Sequence, residues 1–521
     1  MPVVETERLS PSALQALGPE GVHQTYCGLD CCVTLEVFEA LRAQRAQPPK
    51  IYDFERALQA PYLDMMQRGF AVDELSRQSA SAQLTEEINH LQEVLDEFAR
   101  VSWDRPLNPR SYKQLQEFFY SALALPPVYS FKKGVKRVST DRDALEKLEE
   151  KYLYARPIVN CILSIRDLAK QREVFDTEID PDRRHRSSYN IAGTETGRPS
   201  SSENAFGTGG NAQNIRPSLR YVFVADAGKK ICVIDLEQVE ARDVGFFQGC
   251  LFGDWTFLDA CESGDLHTNN AKLVWPELKW TADAQANRRI AEQIFYRDFS
   301  YRDMAKRGGH LSNYYGGAAT MARALKIPLA IAQEFHLRYN HGPNCAYPGF
   351  QRWWNWTATQ IQTSHRIVTP FGRERLFFGR PGDDTTLREA IAFLPQSTTA
   401  DRMNLGLWRI WRYMPEVELL AQTYDSVTFQ YDESADEQEI IGRALELIRV
   451  ELRAPNGRSY IVPGEAKVGW NWGAQVTQAD VAKALAKGLP PPRLNPDGLV
   501  KFKLGKPDQR KRSIGLQRVP I

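Results

Sequence analysis

Hydrophobic and polar positions follow helical periodicity through most of this chain, interrupted by two short apolar segments of another kind. Residues 51–100 place apolar side chains at three- and four-residue intervals, which predicts long amphipathic helices separated by a turn near Gly69. A shorter helical pattern fills residues 9–47 and is clearest in VTLEVFEALRAQ, until Pro48 and Pro49 break it. A polar, Lys-rich stretch at 130–141 precedes another helix that reaches about Phe175. Helical patterns return over 240–365. The two exceptions are KKICVIDLE (229–237), a β-branched run that reads as a buried strand, and LLAQTYDSVTFQY (419–431), which reads as a hairpin with an acid at its tip. From His185 to Arg220 the chain is rich in Gly, Ser, Thr and Asn, and a long irregular stretch inside a globular protein is usually functional. After GWNWG (469–473) the composition shifts to Pro, Lys and Gly, so residues 474–521 read as an appended tail.

Length and charge narrow the class. A chain of 521 residues, 42% hydrophobic and 25% charged, is long enough for several domains. No apolar run of about 18 residues exists, so no membrane span is expected, and the opening residues lack a secretory pattern. Eight cysteines make no disulfide framework, and Cys27, Cys31 and Cys32 have no second Cys or His pair at zinc spacing. The expected compartment is therefore a reducing cytoplasm, that of the host if the protein is viral. A net charge of +1 counts against a protein that merely coats nucleic acid, although the end of the chain, from Lys501 to Arg518, is strongly basic.

Two aspartates concentrate the chemistry. Asp235 ends the apolar strand, and Asp425 sits at the hairpin turn. A carboxylate ending a buried strand is costly unless something positive meets it. Two such acids could bridge a pair of Mg²⁺ ions about 3.5–4 Å apart, the arrangement that phosphoryl transfer uses.

The flanking residues carry a specific resemblance. DLEQVEAR (235–242), RDMAKRGGHLSNYYGG (302–317) and QTYDSV (422–427) resemble the three motifs of the family A, or DNA polymerase I-like, DNA polymerases. TGRPSS, AQNI, GDLHTNNA, YPGFQRW, TPFGRERLF, REAIAFLPQSTTAD and GWNWG match further family segments in order, from about Tyr52 to Gly473.

The resemblance implies an α+β right-hand fold: an antiparallel-sheet palm with helical fingers and thumb. It assigns 51–74, 190–261 and 366–473 to the palm, 75–189 to the thumb and 262–365 to the fingers. It implies a template-directed DNA polymerase, of a phage or mobile-element kind, adding deoxynucleotides to a primer 3′-end. Asp235 and Asp425, with the Leu236 carbonyl, would hold two Mg²⁺ ions, for which Mn²⁺ can substitute. Lys306 would act catalytically on the triphosphate, together with Arg302 four residues away on one helix face and with His267. Glu240 would close over the sugar 2′ position, with Gln238 beside it; His310 and Tyr314 would stack near the nucleotide. Arg198, Gln213, Asn214, Arg388, Gln396 and Tyr424 would contact primer or template. Trp353, Trp354 and Trp356 read instead as core.

Several positions depart from the family pattern. His310 stands where the family has Phe or Tyr. Gly308 and Gly309 each cost about 1 kcal/mol in a helix interior, which predicts a bent or mobile helix there. Ser426 replaces a glutamate that usually follows the second metal acid. YCGLD (26–30) resembles the last motif of a 3′→5′ exonuclease, but the acids that precede it in such a domain are missing from the 25 residues before it. Residues 1–50 therefore read as the C-terminal piece of an exonuclease-like domain. No proofreading is expected from this chain alone, and 1–50 would dock a separate exonuclease subunit or be a structural remnant. The basic tail would engage duplex phosphates or a processivity factor. The competing readings are a single-subunit RNA polymerase, towards which Ser426 leans, and an inert primer-template clamp.

Overall fold

The computed structural model describes residues 10–44, 50–132, 135–297, 299–486 and 490–505. They form two compact units, one up to Ala57 and the other from Leu58 onward. In the first unit, Gly18–Gln44 is a single helix with no buried residue; Tyr26 on it is exposed.

The second unit is built on one mixed-order antiparallel sheet. Its strands are β1 (Lys229–Leu236), β2 (Glu418–Thr423), β3 (Ser426–Asp432), β4 (Gly464–Gly469) and β5 (Val500–Lys501), arranged in the order β2-β3-β1-β4-β5. Both apolar segments behave as their patterns predict. KKICVIDL is the central strand, with Ile231, Cys232 and Ile234 fully buried. LLAQTYDSVTFQY is a hairpin that turns at Tyr424 and Asp425. Strand β5 revises the reading of 474–521 as an appended tail. Lys501 pairs with Lys467 and Val500 with Val468, so part of that segment completes the sheet edge. Residues 487–489 and 506–521 lie outside the described residues.

Helices cover the sheet and extend from it. Those that matter here are α1 (Glu74–Arg100), α2 (Arg156–Asp176), α3 (Val239–Phe252), α4 (Tyr301–Asn313) and α5 (Asp384–Tyr413). Two cores hold the unit. In one, Phe70 stacks on Trp472 with centroids 4.8 Å apart, Phe223 meets both rings edge-on, and the group packs against the inner residues of β1. The other lies between α1 and α2 and contains Leu95, Trp103, Phe118, Leu145 and Ile162. At the polar stretch read over 130–141, Tyr129–Lys132 and Val135–Val138 pair as two antiparallel strands. The long irregular stretch from His185 carries only short strands and single turns, including Ser188–Asn190 paired with Ser200–Ser202.

The middle of helix α5, over 390–407, is almost wholly buried, and its two charged residues, Asp401 and Arg402, are paired. Arg402 donates to Asp243 of α3 at 2.9 Å, and both side chains are fully enclosed. Thr399 and Tyr460 donate to the same carboxylate at 3.0 and 2.8 Å. A buried carboxylate with three donors, one of them a guanidinium, satisfies the requirement that enclosed charge be both paired and hydrogen-bonded. Arg373 likewise meets Asp401 of α5 at 2.7 Å. Gly197, at φ +74°, lies against this pair, and a Cβ there would come within 2.4 Å of the Arg373 guanidinium carbon.

The two glycines of α4 do not interrupt it, contrary to the expectation of a bent helix. Tyr301–Asn313 is continuous, opened by a Ser300–Asp303 capping box. A Cβ at Gly308 would meet the Phe335 ring at 2.9 Å, and one at Gly309 the Tyr339 hydroxyl at 3.1 Å. Glycine here permits close helix packing, which offsets its low helix propensity. Trp353 and Trp354 are buried, as read from the sequence, and Trp356 is half-buried.

Candidate active site

Strand register brings the two aspartates together. In the ladder, Asp235 stands opposite Ser426 of β3 and opposite Glu465 of β4. The tight turn before Ser426 places Tyr424 in the left-handed region at φ +54°. The Leu236 N–H donates to the Asp425 carbonyl at 3.0 Å, which locks the turn onto the end of β1. Burial and the neighbouring Asp235 charge push the Asp425 carboxyl up to about 6. Lys467 of β4 donates to Asp235 at 3.3 Å.

Among the described residues no group of three or more His, Cys, Asp or Glu side chains is suited to hold a metal ion. What converges is one pair of carboxylates and the backbone beside them. That donor set suits hard divalent cations, which take carboxylate and carbonyl oxygens and keep several waters. Burial first and the Asp235 charge second raise Asp425, and a cation held there would offset both.

A second group of residues surrounds this pair. Gln238, at φ +52°, forms the sharp entry to α3, and Glu240 lies in the first turn of that helix. One Glu240 oxygen receives the Arg198 guanidinium and the other the Tyr314 hydroxyl. Burial and this carboxylate hold the Tyr314 phenol far above its usual range, hence neutral. The Arg198 guanidinium lies 5.9 Å from the Tyr424 ring. The Tyr424 hydroxyl donates to Asn214 at 3.1 Å, and the Gln213 amide donates to the Pro199 and Gln422 carbonyls at 3.1 and 3.2 Å. The irregular segment from Thr196 to Ile215 is thus threaded onto the hairpin that carries Asp425.

Helix α4 supplies the cationic side. Arg302, Lys306, His310 and Tyr314 follow at fourfold spacing. Arg302 grips Asp265 at 2.9 and 3.2 Å, while Lys306 is exposed. His310 meets the Tyr314 ring edge-on at 5.5 Å. His267 is pushed down to about 4 by burial and by the adjacent Arg302 and Lys306 charges. Its Nδ1 is buried with no hydrogen-bond partner among the described residues. Arg388 and Gln396 lie on α5, the former half-exposed beside Asp384 at 3.6 Å; no hydrogen bond among the described residues links either to the aspartates.

Sequence reasoning missed Glu465 and Lys467, which share the sheet face of Asp235. The signal was present in GEAKVG, where two charges two residues apart in a strand must point to one face. It also missed Asp243 and Arg402, which nothing local distinguishes from surface charges.

Comparison with known proteins places the chain in a family. The family model of DNA polymerase family A matches residues 74–474. The thermostable DNA polymerase I of Thermus aquaticus is 28% identical over 399 residues, 73% of this chain and 43% of that protein. DNA polymerase I of Treponema pallidum is 26% identical over 453 residues, 82% of this chain and 42% of that protein. The chain thus spans less than half the length of the curated relatives it matches. Among solved structures, the POL domain of Pol1 from M. smegmatis, in complex with DNA primer-template and dNTP, is similar with a TM-score of 0.60 at 21% identity. It covers 80% of this chain and 69% of its own, which supports the right-hand fold. The chain belongs to DNA polymerase family A.

Proposed function

We propose that this chain is a template-directed DNA polymerase that extends a primer 3′-end with deoxynucleotides by two-metal phosphoryl transfer. The observation that carries the reading is the juxtaposition of Asp235 and Asp425 at the end of the central strand, in a family A chain. The hand would consist of a palm over 51–74, 190–261 and 366–473, a thumb over 75–189 and fingers over 262–365. Primer-template DNA and deoxynucleoside triphosphates are the partners this implies.

Each residue then has a task set by its position. Asp235, Asp425 and the Leu236 carbonyl would hold Mg²⁺ or Mn²⁺, which when bound activates the attacking hydroxyl and stabilises the leaving oxygen. Lys306, exposed on α4, would clamp the triphosphate, with Arg302 and His267 behind it. Glu240, positioned by Arg198 and Tyr314, would bar a 2′-hydroxyl, with Gln238 at the helix entry beside it. His310 would stack near the sugar and Tyr314 near the templating base. Arg198, Gln213, Asn214, Tyr424, Arg388 and Gln396 would follow the duplex by shape through phosphate, sugar and minor-groove contacts. Residues 1–50 would be the C-terminal piece of an exonuclease-like domain, a reading supported by Tyr26 and Asp30 on one helix.

Primer extension with deoxynucleotides and, separately, ribonucleotides tests the reading. Extension with deoxynucleotides is expected, and its loss in Asp425→Ala and Asp235→Asn with duplex binding retained. Extension unchanged in both variants refutes the metal assignment. A preference for ribonucleotides would favour an RNA polymerase, and binding without any extension a clamp.

A further inference from the structure

The acid Asp235 is the first rung of a charge ladder that crosses the sheet to its edge. Lys467 donates to Asp235 at 3.3 Å and also lies 3.6 Å from Glu465. Glu465 in turn receives Lys501 of β5. Register explains the geometry. Glu465 is opposite Asp235, and Lys467 is opposite Lys501, so all four side chains rise from one face of adjacent strands. The signs alternate along the row, and Lys467 stands between two carboxylates with a choice of partner.

We propose that Lys467 is a positioning residue that competes with divalent metal for Asp235, and that Glu465 and Lys501 set how strongly it competes. This rests on the reading of Asp235 as a metal ligand. When a cation reaches Asp235, Lys467 has Glu465 close by to receive it, so the ammonium is displaced and stays paired. Lys501 weakens that alternative by occupying Glu465. The segment after Gly473 thereby acts on the centre of the site through three side chains. A site tuned in this way binds metal weakly while empty of nucleotide, because Asp235 already has a counter-ion.

Each rung predicts a sign. Lys467→Met removes the competitor, so Mn²⁺ binds more tightly. Glu465→Gln leaves Lys467 with Asp235 as its only carboxylate on the ladder, so Mn²⁺ binds more weakly. Lys501→Met frees Glu465 to attract Lys467, so Mn²⁺ binds more tightly again. These pairs are partly exposed, and such pairs shift an equilibrium by up to about fivefold.

Mn²⁺ titration of the full chain without DNA or nucleotide, followed by electron paramagnetic resonance, reads these changes directly. The expected result is binding about three- to fivefold tighter in Lys467→Met and weaker in Glu465→Gln. A gain in affinity cannot arise from misfolding. Binding no tighter in Lys467→Met, or tighter in Glu465→Gln, overturns the proposal. Asp235→Asn serves as the separate check: if it binds Mn²⁺ like the unsubstituted chain, the underlying metal assignment fails instead.

Discussion

Ser426 stands directly opposite Asp235 in the central ladder, with its hydroxyl donating to the Thr423 carbonyl at 3.0 Å. The position is 6% exposed and stands beside Asp235, yet carries no charge. Ser426→Glu would bury a third carboxylate beside Asp235 and Asp425. Like charges in an enclosed site destabilise it unless a cation intervenes. The variant should melt lower than the parent in chelator and regain most of the difference with Mg²⁺. Equal melting points in chelator would show that the site is open enough to solvate the added charge.

Glu240 is held from two sides, by Arg198 and by Tyr314. Glu240→Ala removes the group that would meet a 2′-hydroxyl and releases both partners. Discrimination between deoxynucleotide and ribonucleotide, measured as the ratio of kcat/KM values, should fall by about tenfold or more. Discrimination left intact would exclude Glu240 as the sugar gate.

The Arg402–Asp243 pair is fully enclosed, and burial holds the Asp243 carboxyl above its usual range against the pull of Arg402. Arg402→Met strands a buried carboxylate and should cost about 3–5 kcal/mol. Converting Asp243 to Leu in the same chain should recover part of that loss. Denaturant unfolding of the single and double variants measures both steps.

His185 is 2% exposed, and burial holds it at about 4, with Asp180 partly opposing and Arg77 adding to the shift. The unfolded chain takes up this proton near about 6.5. Between those values the unfolded state binds more protons, so stability falls as pH drops through the window. The full effect is on the order of 3 kcal/mol, complete below the folded value. His185→Gln should flatten this part of the stability profile between about pH 6.5 and 4.

Two truncations separate the parts of the C-terminal segment. Removal of 506–521 takes away Lys506, Arg510, Lys511, Arg512 and Arg518 and should lower the salt slope of duplex binding. Removal of everything after Gly473 also strips β5, so it should lower the melting temperature as well. An unchanged slope in the shorter truncation would remove phosphate binding from that stretch.

Local pattern by itself determined the elements that hold the aspartates. A short β-branched run carrying Asp235 favours a strand, and alternation around the polar Tyr424 and Asp425 favours a turn there, because side-chain periodicity is a property of the backbone. The spacing of Arg302, Lys306, His310 and Tyr314 placed them on one helix face for the same reason. Other features depend on contacts far apart in the chain. Glycines at 308 and 309 read as weak points until Phe335 and Tyr339 occupied the space a Cβ would fill. Asp243 and Arg402, 159 residues apart, show no local sign of pairing. The charge ladder from Asp235 to Lys501 needed strand order, which brings β4 beside β1 and returns β5 to the edge. Periodicity decides which face a side chain takes, and only the folded sheet decides which charges meet across it.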